Sequence, residues 1–108
     1  MSNRPYASPA PAPVSALAGM VAAAAERIQS FVTETPLEAV PELLPGHAAC
    51  LFFKLENLQQ TGSFKLRGAS NKILSLNRDQ AARGVIAASN GNHGLGVAAA
   101  SQRARHRA

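Results

Sequence analysis

The sequence has no tryptophan, one tyrosine and one cysteine among its 108 residues. The single cysteine, Cys50, cannot form a disulfide within the chain, and its place in an apolar run predicts a buried thiol in a reducing compartment. No apolar run approaches the roughly 20 residues of a membrane-spanning helix, and the N-terminus lacks the charged start and apolar core of a secretory signal. We therefore predict a cytoplasmic protein with no membrane partner.

Acidic residues are also scarce, because 6 Asp and Glu stand against 11 Lys and Arg, which gives a formal net charge of +5. Such an excess can indicate a nucleic-acid partner, but Arg103, Arg105 and Arg107 near the C-terminus supply much of it. Neither interleaved aromatics nor a known nucleic-acid motif accompanies them. We predict no nucleic-acid partner, and a non-catalytic fragment with a basic tail stays open as an alternative.

The N-terminal third divides into a lead, a helix and an extended segment. Residues 1–14 are mostly Ser, Pro and Ala, which bury too little apolar surface to offset the entropy of ordering, so we predict a disordered lead. Ser15 is predicted to cap an amphipathic helix whose apolar positions recur at three- and four-residue steps from Leu17 to Ile28. Thr35-Pro36 then predicts extended backbone, since the residue before proline avoids the helical region.

The remaining pattern predicts strand, helix and strand, and hence an α/β fold with parallel strands. Cys50–Leu55 has too many consecutive apolar residues for a half-exposed strand, which favours a strand covered on both faces. A helix is predicted from about Phe64 to Leu76, followed by a second buried strand at Val85–Ser89 and a right-handed crossover between the two. A loop, Asn90–Gly94, follows that strand, at the sheet edge where open α/β sheets bind ligands.

Lys65 is the residue most suggestive of chemistry. It follows a Thr61-Gly62-Ser63 turn and falls in or just before the first turn of the predicted helix. The helix dipole disfavours a cation there by about 0.3–1 kcal/mol. The position therefore suits an amine that reacts in its uncharged form with an aldehyde.

Two segments of the chain resemble one enzyme family. Lys54–Ala69 is similar to the cofactor-lysine segment of the pyridoxal-phosphate-dependent threonine/serine dehydratases, a family that includes serine racemases. Ala88–Gly94 resembles that family's asparagine loop, and it occurs at the expected place downstream. The resemblance covers residues 28–102 and implies the N-terminal portion of an incomplete fold type II enzyme. It places the catalytic-domain portion at 15–102 and leaves 103–108 as an off-pattern basic tail.

The resemblance also implies roles for individual residues. Lys65 would hold pyridoxal 5′-phosphate through its amine and later act as a base at the substrate α-carbon, with Phe64 packed near the cofactor. Asn92 would hydrogen-bond the ring hydroxyl of the cofactor. No metal site is expected, because one histidine in a glycine-rich loop has no partner at ligand spacing. The residues expected around the substrate carboxylate are Ser89, Asn90, Gly91, Asn92 and His93.

The implied activity is ammonia elimination from threonine or serine, which yields a 2-oxo acid. The family's glycine-rich phosphate loop does not occur in these residues, and backbone amides of such loops supply much of phosphate binding. The chain alone is therefore expected to hold the cofactor poorly and to be weakly active or inactive. The complete enzyme is compatible with a homo-oligomer.

Two related activities are alternatives. Enzymes of cysteine-synthase type, which catalyse β-replacement, usually carry Asn-Pro before Thr-Gly-Ser and Asp-Arg after the lysine. This chain has Gln59-Gln60 and Leu66-Arg67 there, which favours a dehydratase. Serine racemases use a serine of the asparagine loop as a second acid/base group, and the matching position here is Asn90. Since an amide cannot give or take that proton, the resemblance implies little racemisation.

Overall fold

The computed structural model describes residues 13–43, 45–46 and 48–105, so most of the predicted lead and the last three residues lie outside the described residues. Two short strands and several helices occur in this part of the chain. The domain boundaries at residues 14 and 102 stay predictions. The elements are α1 (Val14–Ile28), β1 (Leu37–Ala39), β2 (Phe52–Lys54), α2 (Lys65–Leu74), α3 (Arg78–Ala82) and α4 (Asn92–Arg103), with 3-10 turns at Pro41–Leu43 and Glu56–Leu58.

The predicted N-terminal helix is confirmed as α1, but its start differs from the prediction. Pro13 is the N-cap, with φ −61° and ψ 144°, so Ser15 lies inside the helix and does not cap it. Proline has its φ fixed near the helical value, and an N-terminal proline costs no helical hydrogen bond. Ile28 is the buried residue of α1, and the Arg27 guanidinium donates a hydrogen bond to the side-chain oxygen of Asn71 on α2.

The strands are antiparallel, so the prediction of parallel strands is wrong for the described part of the chain. Leu37 pairs with Lys54, and Ala39 pairs with Phe52. The chain reverses between β1 and β2 by way of Gly46, whose φ of 78° suits glycine. An apolar run predicts a strand without identifying the strand that pairs with it. Here the short connection between β1 and β2 makes β1 an antiparallel partner of β2. Cys50, predicted to be buried, is exposed.

The predicted second strand, Val85–Ser89, is also not formed. The segment has no regular secondary structure and no strand pairing, and Ile86 is fully exposed. A strand needs a hydrogen-bonded neighbour, and the described residues place none beside this segment. The predicted crossover between two parallel strands is therefore absent from this part of the chain.

The helix predicted from Phe64 is confirmed as α2, and it packs against α4 in the largest interface between elements of the described chain. The core of this interface is formed by Leu66, Ala69, Ile73 and Ala100, all buried. Leu66 belongs to this core and directly follows Lys65, so its burial holds the backbone next to Lys65 in place. The region of interest is thus held by two packed helices.

The end of α4 is also tied to the rest of the chain. Arg103, predicted to begin a basic tail, is the last residue of α4. Its guanidinium donates hydrogen bonds to the Phe31 carbonyl at 2.7 Å and to Gln60 Oε1 at 2.8 Å. Gln60 directly precedes the Thr61-Gly62-Ser63 turn, so α4 supports the approach to Lys65. Among the described helices, none combines the length and apolar character needed to span a membrane.

Candidate functional site

Lys65 is the first residue of α2, as predicted, and its side chain is exposed. Its Nζ atom lies 4.8 Å from the centroid of the Phe64 ring, which is 60% exposed. Phe64 is the N-cap residue, and no side chain caps the helix. The amine is therefore accessible and stands beside an aromatic face at the positive end of a helix.

A cavity of 460 Å³ adjoins Lys65. Its volume lies within the roughly 300–1,000 Å³ usual for small-molecule sites. Phe64, Lys65 and His93 contribute from the predicted site, and the other walls come mainly from apolar side chains of α2 and the segment before Asn90. Those other lining residues are Gly68, Ala69, Lys72, Ile73, Leu76, Val85, Ile86, Ala87 and Val97.

The predicted loop Asn90–Gly94 is shorter than expected. Helix α4 begins at Asn92, so Asn92 and His93 occupy its first turn and not a loop. Gly91 is the N-cap and offers no capping side chain. The first amides of a helix have no partner within the helix, so the start of α4 keeps donors available for an anion.

The predicted site residues fall into two neighbouring groups. Phe64, Lys65 and His93 line the cavity, whereas the other predicted site residues do not; these are Ser89, Asn90, Gly91 and Asn92. Ser89 and Asn90 are exposed, and Ser89 Oγ accepts a 3.3 Å hydrogen bond from the Gly91 amide. The sequence thus identified the segments, and the structure brings only three of the side chains to the cavity.

A polar network behind Lys65 was not foreseen. Arg67, which we did not assign to the site, makes a two-pronged ion pair with Glu56: Nε lies 2.9 Å from Oε2, and the terminal Nη2 lies 2.7 Å from Oε1. The Thr35 hydroxyl donates to Glu56 Oε1 at 2.6 Å. Hydrogen bonds from Arg67, then from Thr35, lower the pKa of Glu56 from its ordinary 4.5 to about 2, against the opposing effect of burial.

Gln59 extends this network to the connector between α1 and β1. Its buried side-chain amide accepts from the Thr33 amide and donates to the Thr33 carbonyl, both at 2.9 Å. Arg67 also donates to that carbonyl, at 3.2 Å. We call Thr33, Thr35, Glu56, Gln59 and Arg67 the polar clasp. No local spacing signals it, because Glu56 and Arg67 belong to different elements and only the fold brings Thr33 and Thr35 to them.

Two buried hydroxyl groups next to Lys65 have no hydrogen-bond partner within the described residues. They belong to Thr61 and Ser63 in the turn that leads into α2. A buried hydroxyl without a partner costs about 1–3 kcal/mol. Neither residue lines the cavity at Lys65, so the fit to a polar aromatic cofactor with an aldehyde group rests on the accessible Lys65 amine and the Phe64 ring beside that cavity. No cluster of three or more potential metal ligands occurs in the described chain.

Comparison with known proteins agrees with this geometry. The family model described as pyridoxal-phosphate dependent enzyme matches residues 28–108. The chain is 48% identical over 81 residues to a catabolic L-threonine dehydratase of Staphylococcus aureus, covering 74% of this chain and 23% of that protein. It is 42% identical over 77 residues to a serine racemase of Dictyostelium discoideum, covering 71% and 24%.

The fold has a counterpart among solved structures. A maize serine racemase superposes with a TM-score of 0.74 at 36% identity, covering 82% of this chain and 28% of that one. This neighbour is a fold type II enzyme, and the chain corresponds to a partial α/β unit of that fold. The chain spans about a quarter of the length of the curated relatives it matches.

Proposed function

Because the chain belongs to the pyridoxal-phosphate dependent enzymes, we propose that it is the N-terminal portion of a threonine or serine ammonia-lyase. The reaction converts the β-hydroxy amino acid into a 2-oxo acid and ammonia. A proton leaves the α-carbon and hydroxide leaves the β-carbon, which together release one water. Hydrolysis of the product consumes one water and releases ammonia, so no net water is formed. The family match and the relatives named threonine dehydratase support this proposal.

Lys65 is the proposed attachment point of pyridoxal phosphate and the residue that carries the proposal. Its amine would bond to the cofactor aldehyde with release of one water, and it would later hold the proton taken from the α-carbon. The cofactor supplies the electron sink that makes this proton removable. The supporting observation is the accessible Lys65 amine beside Phe64, at the edge of a 460 Å³ cavity.

The start of α4 is the proposed place for the substrate carboxylate. Its first-turn amides have no side-chain cap, since Gly91 is the N-cap. Ser89, Asn90 and His93 flank this point, and Asn92 would hydrogen-bond the ring hydroxyl of the cofactor. A carboxylate at a helix N-terminus is favoured both by the free amides and by the helix dipole.

Racemisation is the second candidate, because relatives named serine racemase are similar to this chain at comparable identity. It needs a second acid/base group on the cofactor face opposite Lys65. Asn90 stands at the position matched to that group, and an amide cannot transfer the proton. The neighbouring Ser89 hydroxyl accepts a hydrogen bond from the Gly91 amide. The proposal therefore favours dehydration.

An enzyme that contains this segment offers a direct comparison of the two activities. Chiral chromatography of residual serine should detect almost no D-serine with Asn90, whereas Asn90→Ser should increase it. Substantial D-serine formation by the unchanged sequence would contradict the preference for dehydration.

We further propose a cytoplasmic enzyme whose partner is a small amino acid and whose complete form is a homo-oligomer.

Lys65 is tested on the chain itself by adding pyridoxal phosphate, reducing with borohydride and mapping the labelled peptides by mass spectrometry. We expect label at Lys65 above that at Lys54 and Lys72. Lys65→Ala should remove this excess. Lys54→Ala, a change on β2 outside the cavity, should leave the Lys65 label intact. Equal labelling of all lysines would contradict the assignment.

A further inference from the structure

Gly96 lies one helical turn after Asn92 on α4, at the point where α4 crosses the start of α2. It is buried, and a Cβ atom built on it would lie 3.1 Å from the carbonyl carbon of Lys65. The same atom would lie 3.2 Å from both the Lys65 oxygen and the Leu66 nitrogen. All three neighbours are backbone atoms, so no side-chain rotation can relieve the contact.

The environment of Gly96 differs from those of Gly19 and Gly68 and resembles that of Gly94, where an added Cβ would lie 3.1 Å from the Ser89 carbonyl oxygen. A Cβ on Gly19 in α1 or on Gly68 in α2 would have no atom within 4 Å. Gly96 has an ordinary helical φ, since the positive-φ glycines of the described chain are Gly46, Gly62 and Gly84. Glycine weakens a helix interior relative to alanine. The close backbone contact is therefore the feature that calls for glycine at this position.

We propose that Gly96 is a positioning residue that sets the separation between the Lys65 backbone and the first turn of α4. Asn92 is four residues before Gly96 on the same rigid helix, so a displacement of α4 at this contact also displaces Asn92. The contact thereby fixes two candidate cofactor-binding residues relative to each other. The functional part of this inference rests on the proposed role of Lys65, whereas the packing part does not.

Gly96→Ala tests the contact directly. The added methyl group must push α4 and the start of α2 apart by a few tenths of an ångström. We expect the ratio of pyridoxal-phosphate label at Lys65 to label at Lys72 to fall by about tenfold, since small misplacements of reacting groups can cost up to ~100-fold in rate. Amide hydrogen exchange at Ala69, which lies one helical turn after Lys65, needs no cofactor and should become faster.

Two control variants separate positioning from general stability. Gly19→Ala adds the same methyl group to an exposed helical position and should change neither readout. Ala100→Gly loosens the same α2–α4 interface without adding an atom near Lys65. It should lower the unfolding midpoint while keeping the labelling ratio. If Gly96→Ala folds poorly, the double variant with Gly19→Ala adds helix propensity in α1 as a separate gain in stability, and the ratio is measured there.

The outcomes distinguish the inference from the proposed function. A normal labelling ratio in Gly96→Ala, or an equal loss in Ala100→Gly at matched stability, would overturn the positioning role. Absence of preferential Lys65 labelling in the unchanged chain would overturn the proposed function instead. In that case Ala69 exchange decides the packing part, because unchanged exchange in Gly96→Ala would show that the contact does not hold the start of α2 in place.

Discussion

Two chain segments lead to the candidate site, one to Lys65 and one to Asn92, and we call them the two approaches. They differ in how many contacts with other described residues hold them in place. The approach to Lys65 is held by the polar clasp, with the Glu56–Arg67 ion pair at 2.7 Å and a buried Gln59. The approach to Asn92 is segment 84–91, which has no regular secondary structure before the start of α4 and in which Ile86 is fully exposed. Among the described residues, the position of Lys65 is thus specified by many directed contacts, whereas that of Asn92 depends mainly on α4.

The largest expected effect comes from removing buried surface on the Lys65 side. Leu66 is fully buried between α2 and α4, so Leu66→Ala should lower the free energy of unfolding by about 2–5 kcal/mol. Urea unfolding followed by circular dichroism measures the change. Leu58→Ala is the matched control, because Leu58 is 56% exposed and should cost less than about 0.5 kcal/mol. Equal losses of unfolding free energy in Leu66→Ala and Leu58→Ala would contradict this prediction.

The features that the sequence predicted correctly depend on local pattern. The periodicity of α2 and the Thr61-Gly62-Ser63 turn place Lys65 in the first helical turn, and the structure agrees. The motif resemblance correctly identified the family, because short segments around a cofactor lysine are specific. Helix α3 was missed, although Asn77 and Gln80 form a reciprocal capping box that is readable as a local signal.

The features that the sequence did not predict depend on distant partners. The apolar run at β2 has no property that distinguishes an antiparallel neighbour at Leu37–Ala39 from a parallel one. Val85–Ser89 has strand-like composition, but its pairing depends on residues that the pattern does not specify. The polar clasp joins residues more than 20 positions apart, such as Thr33 and Gln59. Neither propensity nor periodicity contains that information.

The second prediction uses pH to weaken the clasp. The pKa of Glu56 is lowered from 4.5 to about 2 in the folded chain, so the folded state favours the charged carboxylate. The stability that this supplies is fully present above pH of about 4.5 and is lost as pH falls toward about 2. The loss should reach at most about 3 kcal/mol by linkage. Urea unfolding at a series of acidic pH values measures it, and a flat profile would contradict the ion-pair account.

The third prediction removes the charge while keeping the side-chain shape. Glu56→Gln should cost about 1–2 kcal/mol at neutral pH, because the ion pair is lost and the glutamine NH2 cannot accept one of the two Arg67 hydrogen bonds, while partial exposure limits the cost. The variant should also lose most of the acid dependence described above. Glu38→Gln is a matched control on β1, since Glu38 is exposed and outside the clasp. A variant that keeps the full acid transition would assign that transition to another carboxyl group.

The smallest expected effect lies on the Asn92 side and sharpens the comparison. The Ile86 side chain gains nothing from burial in this part of the chain, because it is fully exposed. Ile86→Ala should therefore change the free energy of unfolding by less than about 0.5 kcal/mol. Val85 is the matched position, since it is partly buried against the α2–α4 core, and Val85→Ala should cost more. If Ile86→Ala lowered the free energy of unfolding more than Val85→Ala does, segment 84–91 would be packed in solution. The difference between the two approaches would then disappear.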